Sequence, residues 1–217
     1  MAREGLLYSL PFGGGAILAL IFGVPVIAFV CLLAIIFLLF FFRDPYRVAP
    51  EQPDLVLSPA DGKIVTIQRV HEPSLLQEEA IQISIFLSIF NVHINRSPYP
   101  GHVVTTSYNR GKFLPAFREK ASLLNEQNSV LIEGPHLKIL VKQIAGLIAR
   151  RIVCWVKVGD YLQSGERFGL IKFGSRVDLF LPLHTELRVN IGEKVRGGET
   201  IIARIQHREG VWHEKRD

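Results

Sequence analysis

The sequence predicts a mainly β domain, a barrel-sandwich or β-hammerhead-like fold with an internal repeat, preceded by an N-terminal hydrophobic α-helical membrane anchor. Three observations carry this expectation. No charged residue occurs between Glu4 and Arg43. Beyond Arg43, short alternating or β-branched runs follow one another, divided by Gly, Pro, Asn and Asp, which is the pattern of all-β sandwiches and barrels. Two stretches, "VGDYLQSGERF" (158–168) and "IGEKVRGGETI" (191–201), superpose at an offset of 33 residues.

The anchor occupies residues 1–42, with its apolar run at 11–42. From Ala16 it reads "AILALIFGVPVIAFVCLLAIIFLLFFF", longer than the roughly 20 apolar residues that one crossing needs. A cleaved signal peptide requires a small-residue cleavage site, and "LLFFFRDP" offers none. One straight helix over 11–42 would measure about 48 Å against a hydrocarbon core of roughly 30 Å. Gly23 and Pro25 fall near its middle, where a turn or kink costs least. A helical hairpin and one tilted helix both remain, and the proline favours the hairpin. Arg43 and Arg47 follow the run while only Arg3 precedes it, so the charge bias puts the following domain on the cytoplasmic face of the cell (inner) membrane. Cys31 falls in the anchor and Cys154 stands alone beyond it. No disulfide can form within the soluble part, as suits a reducing compartment.

Residues 43–217 suffice for one ordinary domain with its own core. Strands are expected over 62–70, 81–89, 101–108, 129–134, 137–145 and 151–158, with three more near the C-terminus. At most one helix is expected, around Pro115 to Glu126, in a stretch that reads equally as core or as a loop dipping toward lipid. Between Arg96 and Lys157 ten Lys and Arg stand against three Asp and Glu. Next to an anchor, such a surface is drawn to anionic headgroups by about 1 kcal/mol per residue. Nucleic acid is the other partner of basic patches, but no recognised binding motif accompanies this one, and none is expected to bind.

The repeat sets Gly159 on Gly192, Asp160 on Glu193, Gly165 on Gly198 and Glu166 on Glu199. Glycines stand where strands must bend or turn, the mark of a duplicated hammerhead unit. Its first copy resembles biotinyl and lipoyl carrier domains, which share the spacing G-D-x-hydrophobic-x-x-G and carry a modified lysine on a hairpin tip further on. Ser175 falls about where that lysine would be, and Lys172 lies three residues early. The presentation turn is kept and the chemistry exchanged.

Ser175 follows Gly174 in "GLIKFGSRVDLFLP" (169–182). A serine hydroxyl can attack the carbonyl before it and turn the peptide into an ester, and glycine leaves that carbonyl least hindered. Removal of the serine α-proton eliminates the ester to dehydroalanine, which hydrolyses to a pyruvoyl group and ammonia. Such a ketone forms a Schiff base with an amine and serves as an electron sink for decarboxylation.

Two further stretches give the Gly-Ser pair its weight, "SPADGKIV" (58–65) and "FLSIFNVHINRSPYPG" (86–101). Together with "RFGLIKFGSRVDLFLP" (167–182) they resemble the phosphatidylserine decarboxylase family in its short, pyruvoyl-dependent (archaeal-type, type II) form, over residues 43–206 with order and spacing intact. The resemblance implies cleavage between Gly174 and Ser175 into a β chain, 1–174, and an α chain, 175–217, that stay together as a heterodimer. It implies a covalent pyruvoyl group derived from Ser175, without pyridoxal phosphate, and phosphatidylserine as substrate among the membrane lipids. Homo-oligomerisation is left open. Ser175 matches the pyruvoyl serine, and Asp61 and His93 match the residues that form a triad with it. Longer members carry two histidines in the second stretch, whereas this chain has Asn91, His93, Asn95 and Arg96 before Pro98. Either His93 serves both cleavage and decarboxylation, or Asn95, Arg96 or another group takes part. Arg96 also suits a substrate phosphate or carboxylate. The other histidines show no close ligand spacing, so no metal is expected.

Overall fold

The computed structural model describes residues 3–111, 125–146, 151–172 and 175–206. The helix expected around Pro115 to Glu126 lies outside these except for Asn125 and Glu126, which are not helical. The apolar N-terminus forms two helices, α1 (Arg3–Ile21) and α2 (Pro25–Phe41). Gly23 turns the chain between them at φ 70°, a conformation that glycine adopts without cost, and Pro25 opens α2 where its missing N–H is no loss. The first helix starts at Arg3, ahead of the uncharged run, with Glu4 in its first turn and Pro11 inside it. The helices run antiparallel, since Tyr8 near the start of α1 stacks on Phe42 beyond the end of α2 at 5.7 Å. A Cβ on Gly15 would meet Cys31 Sγ at 3.5 Å. The stretch Glu4–Ile21 is long and apolar enough to cross a membrane.

Beyond the hairpin the protein is mainly β. In chain order the strands are β1 (Leu55–Leu57), β2 (Gly62–Glu72), β3 (Glu78–Leu87), β4 (Ile94–Arg96), β5 (Gly101–Asn109), β6 (Gln127–Glu133), β7 (Lys138–Ala145), β8 (Ile152–Cys154), β9 (Tyr161–Leu162), β10 (Arg167–Ile171), β11 (Ser175–Pro182), β12 (Thr185–Leu187), β13 (Lys194–Val195) and β14 (Ile201–Ile205). A curled half-barrel of eight strands runs in the order β13-β2-β3-β11-β7-β6-β5-β9, and two three-stranded sheets, β1-β14-β12 and β4-β10-β8, accompany it. Val177, Leu179 and Leu181 of β11 point into the main core with Ile64, Ile83, Ile85, Ile139 and Val141. Phe180 points to the other face with Ala80, Leu131 and Leu140. Both faces of this central strand are therefore covered.

Two expected strands end early for local reasons. The strand expected over 81–89 stops at Leu87, because Asn91 Oδ1 accepts from Ser88 N and Ser88 Oγ and folds the chain back. The strand expected over 151–158 stops at Cys154, ahead of a turn in which Lys157 N donates to Asp160 Oδ2.

The repeat extends further than the glycines announce. Gly159 and Gly192 have φ of 95° and 93°, and Gly165 and Gly198 have 75° and 76°. Their partners form a second duplicated pair, "SPADGKI" (58–64) and "SPYPGHV" (97–103). Gly198 N donates to Ser58 O and Gly165 N to Ser97 O, each at 2.8 Å. Ser58 Oγ bonds Ala60 O and Ser97 Oγ bonds Tyr99 O, both at 2.7 Å. Accordingly β1 pairs with β14 as β4 pairs with β10, and β2 pairs with β13 as β5 pairs with β9. The barrel is two copies of one unit.

The expected basic surface is partly internal. Lys142 Nζ is tied to the buried Glu72 at 2.8 Å and Arg96 is buried against Asp44. Positions 112, 118, 120 and 150 lie outside the described residues.

Candidate active site

Two connections of the barrel meet at one corner. Leu87, the last residue of β3, pairs with Ser175, the first of β11. Ile94, the first of β4, pairs with Leu170 near the end of β10. The loop 88–93, which carries His93, and the link from β10 to β11, which carries Gly174, thus share both of their boundaries. Gly174 itself lies outside the described residues. The His93 carbonyl accepts from Ile171 N at 3.2 Å, which fixes the histidine beside that link.

Ser175 is fully buried, and its Oγ has no hydrogen-bond partner. His93 is 2% exposed, and its Nε2 is likewise unpartnered. Orphaned buried polar atoms are costly, so a fold keeps them for a reason. His93 Nδ1–H donates to Asn91 O at 2.9 Å, which leaves the Nε2 lone pair free to act as a base. Burial pushes His93 down to about 4, opposed by the bond to Asn91 and helped by the positive charge of Arg43. The Phe41 ring lies against the imidazole, centroids 4.2 Å apart. Phe41 closes α2, so the apolar hairpin itself walls the histidine.

Asn95 is buried on β4, where Gln143 Nε2 donates to its Oδ1 at 2.8 Å. Asn128 in turn donates to Gln143 Oε1. The Nδ2 of Asn95 has no partner, so a third orphaned polar atom belongs to a residue that the sequence singles out. Gly169 makes room for this network, because a Cβ there would meet Val153 O at 2.4 Å and Gln143 Nε2 at 2.9 Å.

Asp61 sits among arginines. Its Oδ2 accepts from Arg47 at 2.9 Å and its Oδ1 from Gly197 N at 2.8 Å. The tautomer of His93 is set by the Asn91 carbonyl and not by Asp61. The carboxylate of Asp61 acts instead at longer range on Arg43, whose charge it supports. Arg96 has its guanidinium engaged by Asp44 Oδ1, Pro45 O and Gly165 O at 3.0–3.1 Å. That fork is used within the protein and is not open to a substrate phosphate or carboxylate.

Three features escaped the sequence reading. Arg43 donates to Phe40 O at 2.8 Å and to Phe90 O at 2.7 Å. Lys172, 7% exposed and two residues before Gly174, donates to Tyr8 Oη of α1 at 2.7 Å. On the far face of β11, Arg176 Nε donates to Asp178 Oδ1 at 2.6 Å and Arg176 Nη2 to Ser84 Oγ at 2.5 Å. The charged "FRDPYR" after the apolar run was the available signal for the first.

Residues 34–203 match the profile of a family described as phosphatidylserine decarboxylase. Among similar proteins, one from Desulfotalea psychrophila is 47% identical over 210 residues, covering 94% of this chain and 96% of its own. One from Syntrophus aciditrophicus is 46% identical over 202 residues, covering 92% and 95%. One from Geotalea uraniireducens is 46% identical over 203 residues, covering 93% and 95%. All three are named phosphatidylserine decarboxylase proenzyme.

Proposed function

Because the chain belongs to the phosphatidylserine decarboxylase family, we propose that it converts phosphatidylserine to phosphatidylethanolamine and CO2 by means of a pyruvoyl group, which it makes from Ser175 by cutting its own chain between Gly174 and Ser175. The observation that supports this best is the pair of orphaned buried atoms at one corner, Ser175 Oγ and His93 Nε2, a nucleophile and a base with no structural bond to lose.

His93 Nε2 takes the hydroxyl proton, Oγ attacks the Gly174 carbonyl carbon, and the peptide C–N bond breaks to give an ester and a free amine. Loss of the Ser175 α-proton then expels the Gly174 carboxylate, and water replaces the nitrogen of the dehydroalanine as ammonia. A histidine held near 4 is neutral at the outset and a strong acid once charged, so it hands its proton on readily. Asp61 eases the charged stage by countering Arg43, the cation that opposes a second positive charge on His93.

The residues fit a ketone at position 175. It would open a central strand whose neighbours hold it in register, Leu87 on one side and Ala145 on the other. Once formed there, a pyruvoyl group would supply a ketone for the substrate's amine and an electron sink for the pair left by departing CO2. Asn95 donates its free Nδ2–H to a substrate oxygen, and His93 returns a proton to the α-carbon. The 175–217 chain stays in the fold as a heterodimer with 1–174, because β11 lies between β3 and β7 and Arg176 ties it to Ser84. The hairpin sits in the cell (inner) membrane, with the domain on its cytoplasmic face.

Intact mass tests the reading. Purified protein is expected as fragments 1–174 and 175–217, the second blocked to N-terminal sequencing, while Ser175→Ala stays whole. Full decarboxylase activity from an uncut chain would defeat it.

A further inference from the structure

Arg43 stands at the end of α2 on the membrane side of the histidine. One of its bonds, to Phe40 O, is ordinary capping of a helix C-terminus. The other reaches Phe90 O in the loop that carries His93, and the cation also lies over the Phe40 ring at 4.0 Å. A guanidinium has five donors, and among the described residues Arg43 makes no hydrogen bond to a carboxylate. Its neighbours differ: Arg47 is paired with Asp61 and Glu199, and Arg96 and Arg167 are both paired with Asp44. Around it the surface is built for lipid. Phe90 and Ile89 are 67% and 36% exposed at the tip of the loop, continuous with the apolar end of the hairpin.

We propose that Arg43 binds the phosphate of the lipid substrate, at a portal between the end of α2 and the loop 88–92. This rests on the decarboxylase reading above. In phosphatidylserine the phosphate is separated from the α-carbon by only one oxygen and one methylene, so its binding cation must stand close to the reacting centre. Arg43 does, two residues beyond Phe41, whose ring lies against His93, and bonded to the loop that carries His93. The substrate carboxylate is the poorer match, because it is lost as neutral CO2 and a cation gripping it would stabilise the ground state over the transition state. Headgroup phosphates also lie just outside the hydrocarbon, at the level where α2 ends.

The test uses full-length protein in mixed micelles, with Arg43→Gln and Arg43→Lys. Fragment masses are read first, then KM and kcat for phosphatidylserine, then inhibition by phosphatidylethanolamine, which keeps the phosphate and lacks the carboxylate. Arg43→Gln is expected to mature, to raise KM about 10- to 100-fold, the scale of one lost charge-assisted hydrogen bond, and to weaken product inhibition in parallel. Arg43→Lys is expected between the two. A merely structural role, in which Arg43 only steadies the loop, would lower kcat and slow cleavage with KM unmoved, and that result overturns the proposal. So does a rise in KM with product inhibition unchanged, which would assign Arg43 to the carboxylate. Should Arg43→Gln fail to mature, Arg43→Lys decides on the same two readouts. An uncut but active wild-type chain sinks the pyruvoyl reading instead and is seen before any variant is compared.

Discussion

Protonating His93 is harder in the fold than in water, because the imidazole is buried, lies against Phe41 and feels the charge of Arg43. Its proton affinity is held down to about 4 in the folded chain against 6.5 in the open one. As pH falls, the unfolded chain therefore binds a proton first. Stability is full above about 6.5 and drains away toward about 4, a loss of roughly 3 kcal/mol at most. Denaturant midpoints of Ser175→Ala, which stays uncut, are expected to fall more steeply over this window than those of Ser175→Ala/His93→Gln. Cleavage by the wild type should be nearly constant from about pH 8 to 5; a midpoint near 6.5 would place His93 in water and undo the assignment. The stretches that hold Ser175 and His93 stand out in the sequence because each has its own signature, and the structure brings them to one corner. The acceptor for His93 Nδ1 was not, since it is a backbone carbonyl, and neither was the engagement of Arg96 by Asp44, two residues 52 positions apart.

The hairpin is more than a tether in this arrangement, because the end of α2 is packed into the domain. Leu38, Phe41 and Phe42 form one buried cluster with Val92, Ile94 and Leu170, residues on both sides of His93 and on the strand before the proposed cleavage site. Phe41→Ala removes a fully buried ring and, with it, the surface that keeps His93 dry; such truncations cost about 3–5 kcal/mol. Cleavage is expected to slow at least tenfold, with Phe41→Leu in between, followed by the rate at which uncut precursor disappears. Equal rates for Phe41→Ala and wild type would reduce the helix to a membrane attachment. Long strands such as β2, β3, β5 and β7 were legible from alternation. The three-residue β1 and β4 were not, since they are too short to show a period and form only because β14 and β10 offer them edges. The glycine half of the duplication was visible at a fixed offset. Its "SP…G" half was hidden by Asp61 and Pro100, which share a place in the unit but no chemistry.

At the scale of the whole molecule, the hairpin returns both of its ends to the domain. Tyr8 of α1 stacks on Phe42 and accepts a bond from Lys172, so the first turns of the chain lie beside the residue that leads into the proposed cleavage link. With 19 and 17 residues, the helices are about 28 and 26 Å long, close to the roughly 30 Å of hydrocarbon that each would have to cross. A pair that crosses and returns leaves Arg3, Arg43 and Arg47 on one side, and the bias of positive charge predicts that side to be the cytoplasmic one. Topology is then measurable with single cysteines, Glu4→Cys and Glu51→Cys, in a chain whose own two cysteines are replaced. Neither is expected to react with a membrane-impermeant maleimide in intact cells, and both should react once the membrane is opened. Labelling of Glu4→Cys alone would require one continuous crossing and would tear Tyr8 from Lys172. Labelling of both from outside would keep the hairpin but put the catalytic domain on the opposite face, where the charge bias would have no explanation.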